Sequence, residues 1–134
     1  MHTETPQLAP DRQVVQRYGE GGFTVSGVRH EGSLLVFPDH VRPWPVTTMA
    51  ELSLASLEAL RQPGPAPDIL VVGSGAAFHL FPADLREALR PWGVVVEVMA
   101  TPAACRTYNV LLAEERRVAA ALIAVPAAAG TPSR

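Results

Sequence analysis

Hydrophobic positions along this chain switch between a period of two and a period near three and a half, and the switches mark its elements. Gln13 to Tyr18 reads as a short strand turned by Gly19-Glu20-Gly21-Gly22. Phe23-Thr24-Val25-Ser26-Gly27-Val28 alternates apolar with small or polar residues, as a half-buried strand does. His30-Glu31-Gly32 then turns the chain into Ser33-Leu34-Leu35-Val36-Phe37, and the three segments together predict an N-terminal antiparallel meander. Further on, Asp68 to Gly73 and Val94 to Val98 are continuous apolar runs, the pattern of strands buried on both faces of a parallel sheet. Val94-Val95-Val96 is expected as a central strand, parallel to Ile69-Leu70-Val71-Val72.

Helical spacing fills the gaps between these runs. Leu54, Leu57 and Leu60 predict a helix capped by Ser53 and ended by the stiff connector Pro63-Gly64-Pro65-Ala66-Pro67. Pro82 opens a second helix, with Asp84 and Glu87 near its positive end, Leu85 and Leu89 inward, and Trp92-Gly93 as its close. Thr101 is expected to cap a third, with Pro102 as its first residue and Ala104, Tyr108, Leu111 and Leu112 on one face. The run Val118 to Val125 is short, follows Arg116-Arg117 and ends at a proline, so it reads as a strand. Together these elements predict an α/β fold, a three-layer sandwich around a mixed, mainly parallel central sheet. Residues 12–125 form one domain in this reading, with 1–11 and 126–134 as loose termini.

Composition narrows the class. A chain of 134 residues, 48% hydrophobic and 18% charged, is globular and large enough for one core. Its net charge of −2 gives no electrostatic reason to expect nucleic acid. A single cysteine excludes an internal disulfide and fits a reducing compartment. The start lacks the basic-then-apolar pattern of a signal peptide, and the stretch Val118 to Ala129 is broken by Pro126 short of a membrane span. The expectation is a cytoplasmic-type protein without a membrane span.

Polar groups gather where the apolar strands stop, at the carboxyl edge of the sheet, where α/β proteins usually place their sites. Gly73-Ser74-Gly75 resembles half of a dinucleotide fingerprint, but Phe78 stands where the third glycine belongs, so a sharp backbone turn is the better reading. Cys105 lies near a helix start, where a thiolate is favoured, yet His30, His40 and His79 stand at no informative spacing, and packing is favoured over nucleophilic chemistry. No pair of residues shows metal-ligand spacing. Arg106 and Asn109 share a helix face: they either bind a carboxylate, phosphate or partner backbone, or serve neighbouring groups of their own chain. Trp44, between Pro43 and Pro45, either packs into the core or a groove or presents a recognition surface.

The segments Asp68–Gly75, Gly93–Val98, Met99–Asn109 with its Thr107-Tyr108-Asn109 motif, and Arg116–Leu122 together resemble the Mth-type domain family of unknown function. The resemblance reaches back through Phe23-Thr24-Val25 and Trp44, and so covers about residues 12–125. That family includes small bacterial and archaeal proteins, a mitochondrial respiratory complex I assembly factor and an adipogenesis-associated protein. The resemblance implies a three-layer α/β sandwich and, by analogy with the assembly factor, protein partners and no turnover. Two functional expectations follow. The first is a non-catalytic protein-binding or assembly-factor-like protein that uses the cleft edge and the Trp44 region. The second is a small-molecule or anion-binding protein or enzyme, with Gly73, Ser74, Gly75, Thr101, Cys105, Arg106 and Asn109 around a cleft at the carboxyl edge. No catalytic residue, cofactor or metal is assigned.

Overall fold

Thirteen short elements alternate along the chain in the computed structural model, which describes residues 12–62 and 64–126. The first three strands, β1 (Val15–Gly19), β2 (Gly22–Val25) and β3 (Val28–Glu31), form a separate antiparallel sheet in the order β1-β2-β3. Both hairpin turns use positive φ, at Glu20 (58°) and Gly21 (80°), then at Ser26 (45°) and Gly27 (86°). Two successive residues of this conformation match the twist of the flanking strands. Ser26-Gly27 is therefore the second hairpin turn, and His30-Glu31, read above as a turn, belongs to β3.

The expected third meander strand goes elsewhere. Strand β4 (Leu34–Val36) leaves the meander at Gly32 (φ 84°) and enters a second sheet of five strands. That sheet adds β5 (Val41–Pro43), β6 (Ile69–Gly73), β7 (Val95–Met99) and β8 (Val118–Leu122), in the order β5-β4-β8-β6-β7. It is mixed: β4 pairs antiparallel with β5 and β8, whereas β6 pairs parallel with β8 and β7. Val118 to Leu122 thus forms the central strand, and each of its five residues is buried.

The period-two pattern sends neighbouring residues into opposite cores. Leu35, Leu70, Val72, Ala119, Ala121 and Ile123 face one core, shared with Trp44, Leu57, Leu60, Leu85 and Leu89. Leu34, Val36, Val71, Val118, Ala120 and Leu122 face the other, shared with Phe23, Val25, Tyr108 and Leu112. The first core lies under a 3-10 helix (Ala55–Arg61) and the helix α1 (Ala83–Ala88). The second lies under the helix α2 (Thr101–Ala113) and the meander. Small side chains at Ala119, Ala120 and Ala121 leave room on the central strand for large partners on both sides.

Three local expectations need correction. The segment expected as an α-helix over Leu54–Leu60 is a 3-10 helix, Ala55–Arg61, although Ser53 does act at its start: its Oγ accepts the Ser56 N–H, and Ser56 Oγ accepts the Ser53 N–H, both at 3.1 Å. Val94–Val98 is parallel to β6, in the register Ile69↔Val95, but it is an edge strand and not a central one. Val95 is 57% exposed and Glu97 is exposed, because α2 covers β6 and β8 and leaves β7 at its flank. The Arg86 guanidinium donates to the Val96 carbonyl at 3.0 Å and blunts that edge. Finally, the α2 cap residue is Ala100, with Thr101 already inside the helix. The loose termini expected at 1–11 and 126–134, Pro126 aside, fall outside the described residues, as does Pro63.

A Cβ at Gly73 would stand 2.7 Å from Thr101 Oγ1 and 3.0 Å from its Cα. Gly73→Ala should therefore push α2 off β6 and destabilise the fold by about 1–3 kcal/mol, the usual cost of overpacking. Chemical denaturation checks this; Gly64→Ala, where a Cβ would meet nothing within 4 Å, is the matched control and should be near neutral.

Candidate functional site

The carboxyl ends of β6, β7 and β8 meet the start of α2, as the sequence implies, but they close on one another. Ser74 N–H donates to Met99 O at 2.9 Å, and Ile123 N–H donates to Gly73 O at 3.0 Å. Gly75 N–H donates to Thr101 Oγ1 at 2.9 Å, while the Thr101 hydroxyl donates to Ile123 O at 2.7 Å. Thr101 N–H in turn donates to Gly75 O at 2.8 Å. Ser74 Oγ donates to Ala77 O and accepts His79 N–H. An anion at a helix start needs free amides. Here the Thr101 amide is taken, Pro102 has none, and the Ala104 amide bonds Ala100 O, so that of the first four positions only Ala103 has no bond assigned to its amide. Gly73, Ser74, Gly75 and Thr101 therefore form a joint, and the expected crevice between the strand ends is filled by its own hydrogen bonds.

The helix carries the other candidates, and two of them are also spent. Asn109 binds the backbone of Val15 from both ends of its amide: Oδ1 accepts the Val15 N–H at 3.0 Å and Nδ2 donates to Val15 O at 2.7 Å. The side chain does for β1 what a neighbouring strand would do. Tyr108, fully buried, donates its hydroxyl to Gln13 O at 3.0 Å, so adjacent residues fasten the start of the meander to α2. Cys105 is buried against the same layer, and burial pushes its thiol up to about 12, with the Arg106 charge only partly opposing this. A thiol so perturbed stays protonated at neutral pH. Trp44 is 3% exposed and donates its indole N–H to Ser56 O at 2.8 Å, so its ring fills the core and presents no surface.

What remains open is a groove between α2 and β1, with a volume of about 250 Å³. Arg106, Cys105 and Asn109 line it from the helix; Arg17 and Tyr18 line it from the strand. Tyr18 is 45% exposed. Neither the Arg17 nor the Arg106 guanidinium makes a hydrogen bond or ion pair among the described residues. Among the described residues no carboxylate lines the groove, although the chain as a whole carries a net charge of −2. Sequence reading missed Arg17 and Tyr18, because a bulge between Val15 and Arg17 disturbs the alternation that would have assigned their faces.

With this geometry in hand, comparison with known proteins is informative. Residues 15–123 match the family described as protein of unknown function (DUF498/DUF598). A Mth938-like domain of Bordetella pertussis, solved in solution by NMR, is 31% identical, with 96% of each chain covered and a TM-score of 0.77. The chain belongs to this Mth-type family. An uncharacterized protein of Rhodobacter capsulatus is 38% identical over 117 residues, 87% of this chain and 89% of that one. The Danio rerio NADH dehydrogenase (ubiquinone) 1 alpha subcomplex assembly factor 3 is 37% identical over 114 residues, 85% of this chain. This Mth-type chain spans 66% of that assembly factor's length. Among the described residues of the Mth-type domain, no helix is long and apolar enough to cross a membrane.

Two measurements check these assignments. Asn109→Ala should cost about 1–3 kcal/mol of stability, because it strips both backbone groups of Val15 of their partner. Arg106→Ala should stay within about 0.5 kcal/mol, as for an exposed side chain outside any network. Iodoacetamide should label Cys105 slowly in the native protein at neutral pH and fully once denaturant is added; rapid native labelling would contradict the buried, protonated thiol.

Proposed function

We propose that this Mth-type domain is a non-catalytic, assembly-factor-like protein that holds a protein partner along the groove between α2 and β1. The observation that supports this reading is the pair of guanidinium groups, Arg17 and Arg106, lining one groove beside exposed Tyr18 with no acid paired to them among the described residues. Arginine forks suit carboxylates, and a charge-assisted hydrogen bond contributes about 1.5–3 kcal/mol. Tyrosine adds apolar contact area with a polar tip, the combination enriched at binding surfaces. An acidic segment of a protein partner fits both features. The likeness to complex I assembly factors directs the choice of partner toward subunits of a respiratory complex I undergoing assembly.

The same two cations suit a small anion, which is the second reading. Partner binding and anion binding separate in one experiment. In the native host, deletion of the gene should leave complex I subassemblies on blue-native gels, and the wild-type gene should restore the full complex. Arg17→Glu with Arg106→Glu should melt like wild type yet fail to restore it. Full assembly of complex I without the gene would overturn the assembly role. Full restoration by the charge-reversed protein would overturn the groove as its seat. Saturable binding of inorganic phosphate, lost on charge reversal, would favour the anion.

A further inference from the structure

Strand β7 has one covered face and one that meets solvent. Val95, Glu97 and Met99 alternate with Val96, which is buried in the first core, so they point to the side of the sheet that carries α2. The helix lies over β6 and β8 and leaves them at its flank. The result is a groove of about 390 Å³, floored by Val95, Glu97 and Met99 and walled by Ile69 and Leu111. Its rims are apolar and uncovered: Val95 is 57% exposed, and Val110, three residues on from the groove-lining Thr107, is 56% exposed. The Thr107 hydroxyl donates to the Met99 sulfur at 3.3 Å and holds that side chain in the floor.

This groove is distinct from the one beside β1. At about 3.6 residues per turn, Thr107 and Leu111 stand on the opposite flank of α2 from Pro102, Arg106 and Asn109. Its charge is opposite too. Glu97 occupies the middle of the floor, exposed, and its carboxylate makes no hydrogen bond or ion pair among the described residues. Arg116 borders the groove, but its guanidinium lies 3.9 Å from Glu114. The backbone then decides what shape of partner fits. Val95 N–H donates to Asp68 O, toward β6, so Val96 turns its own backbone groups outward, and Val96 O already accepts the Arg86 guanidinium at 3.0 Å. A strand adding to β7 would have to displace Arg86; a helix laid on the face needs no edge group. Helices packed side by side have axes about 8–10 Å apart, roughly two strand spacings, so a neighbour of α2 sits over β7 and its margin.

We infer that the open face of β7 docks an amphipathic helix of a partner protein, its apolar side on Val95, Met99 and Leu111 and a lysine or arginine of that side on Glu97. A long cationic side chain can lay its stem along valine and methionine and still bring its head to the carboxylate, where the hydrogen bond is charge-assisted. Such a helix extends the layer that α2 begins and covers the one strand of the parallel set that α2 leaves open. The inference does not depend on the groove beside β1 or on an assembly role.

Photocross-linking of the whole protein in its native host tests this. The photoreactive residue p-benzoylphenylalanine replaces Val95 on the strand and, in a second variant that serves should the first fail to fold, Val110 on the helix. Val28, 56% exposed on β3, is the control position. The Val95 and Val110 probes should capture the same peptide, from another protein, whose sequence has helical apolar spacing with a lysine or arginine on the apolar side; the Val28 probe should not. Adding Glu97→Lys should leave the thermal melt unchanged and lower the captured yield about tenfold, as loss of one charge-assisted hydrogen bond allows. Replacing the partner's cation by glutamate should then restore it. Capture no greater than at Val28, capture of a second copy of this chain or of lipid, a captured peptide of strand-like alternation, or a yield indifferent to Glu97→Lys would each overturn the inference.

Discussion

One hydroxyl group ties α2 to the five-stranded sheet. Thr101 Oγ1 accepts from Gly75 after β6 and donates to Ile123 after β8, and its own amide bonds Gly75 O. The contact exists because Gly73 has no side chain: the space a Cβ would need is occupied by Thr101. From this joint α2 runs down the sheet, placing Tyr108 and Asn109 where they can fasten β1. The meander therefore depends on the helix, and the helix on the joint. Open α/β sheets usually leave this edge for a ligand. Here the same geometry is turned inward and its polar groups are consumed in holding the fold.

That inversion explains which parts of the architecture were legible in the sequence. Strands β6 and β8 and helix α2 follow from apolar runs and capping signals, because their burial on both faces or one face is written in their own residues. Position within a sheet is not so written. Val94-Val95-Val96 has the composition of a central strand, yet β7 is an edge, and only Glu97 hints that one face meets solvent. Likewise Leu34-Leu35-Val36 reads as the next strand of the meander, while its partners are β5 and the distant β8. Non-local pairing of this kind leaves no periodic trace in a single chain.

The site was harder to read for a related reason. Polar residues beside apolar strands signal unmet hydrogen bonds, and a sequence does not show whether the chain meets them itself. Thr101, Ser74 and Asn109 are all met internally. The Arg106 guanidinium, on the same helix face as Asn109, has no such bond among the described residues. Two residues three apart thus divide the structural and functional readings between them.

Unspent polar groups matter only if they are held still. Arg106 projects from a helix whose backbone is locked by Thr101 at one end and by the Asn109 and Tyr108 contacts to β1 further along. Arg17 lies on the strand that those contacts fasten. The walls of the groove are thus ordered in advance, and a partner of the kind proposed would meet chiefly the cost of fixing the two arginine side chains. The buried side of α2 and its exposed side are in this sense one device: the internal bonds that fill the expected cleft also fix the backbone positions from which Arg17 and Arg106 project. A protein partner selected by that placement would gain specificity from the same residues that stabilise the fold.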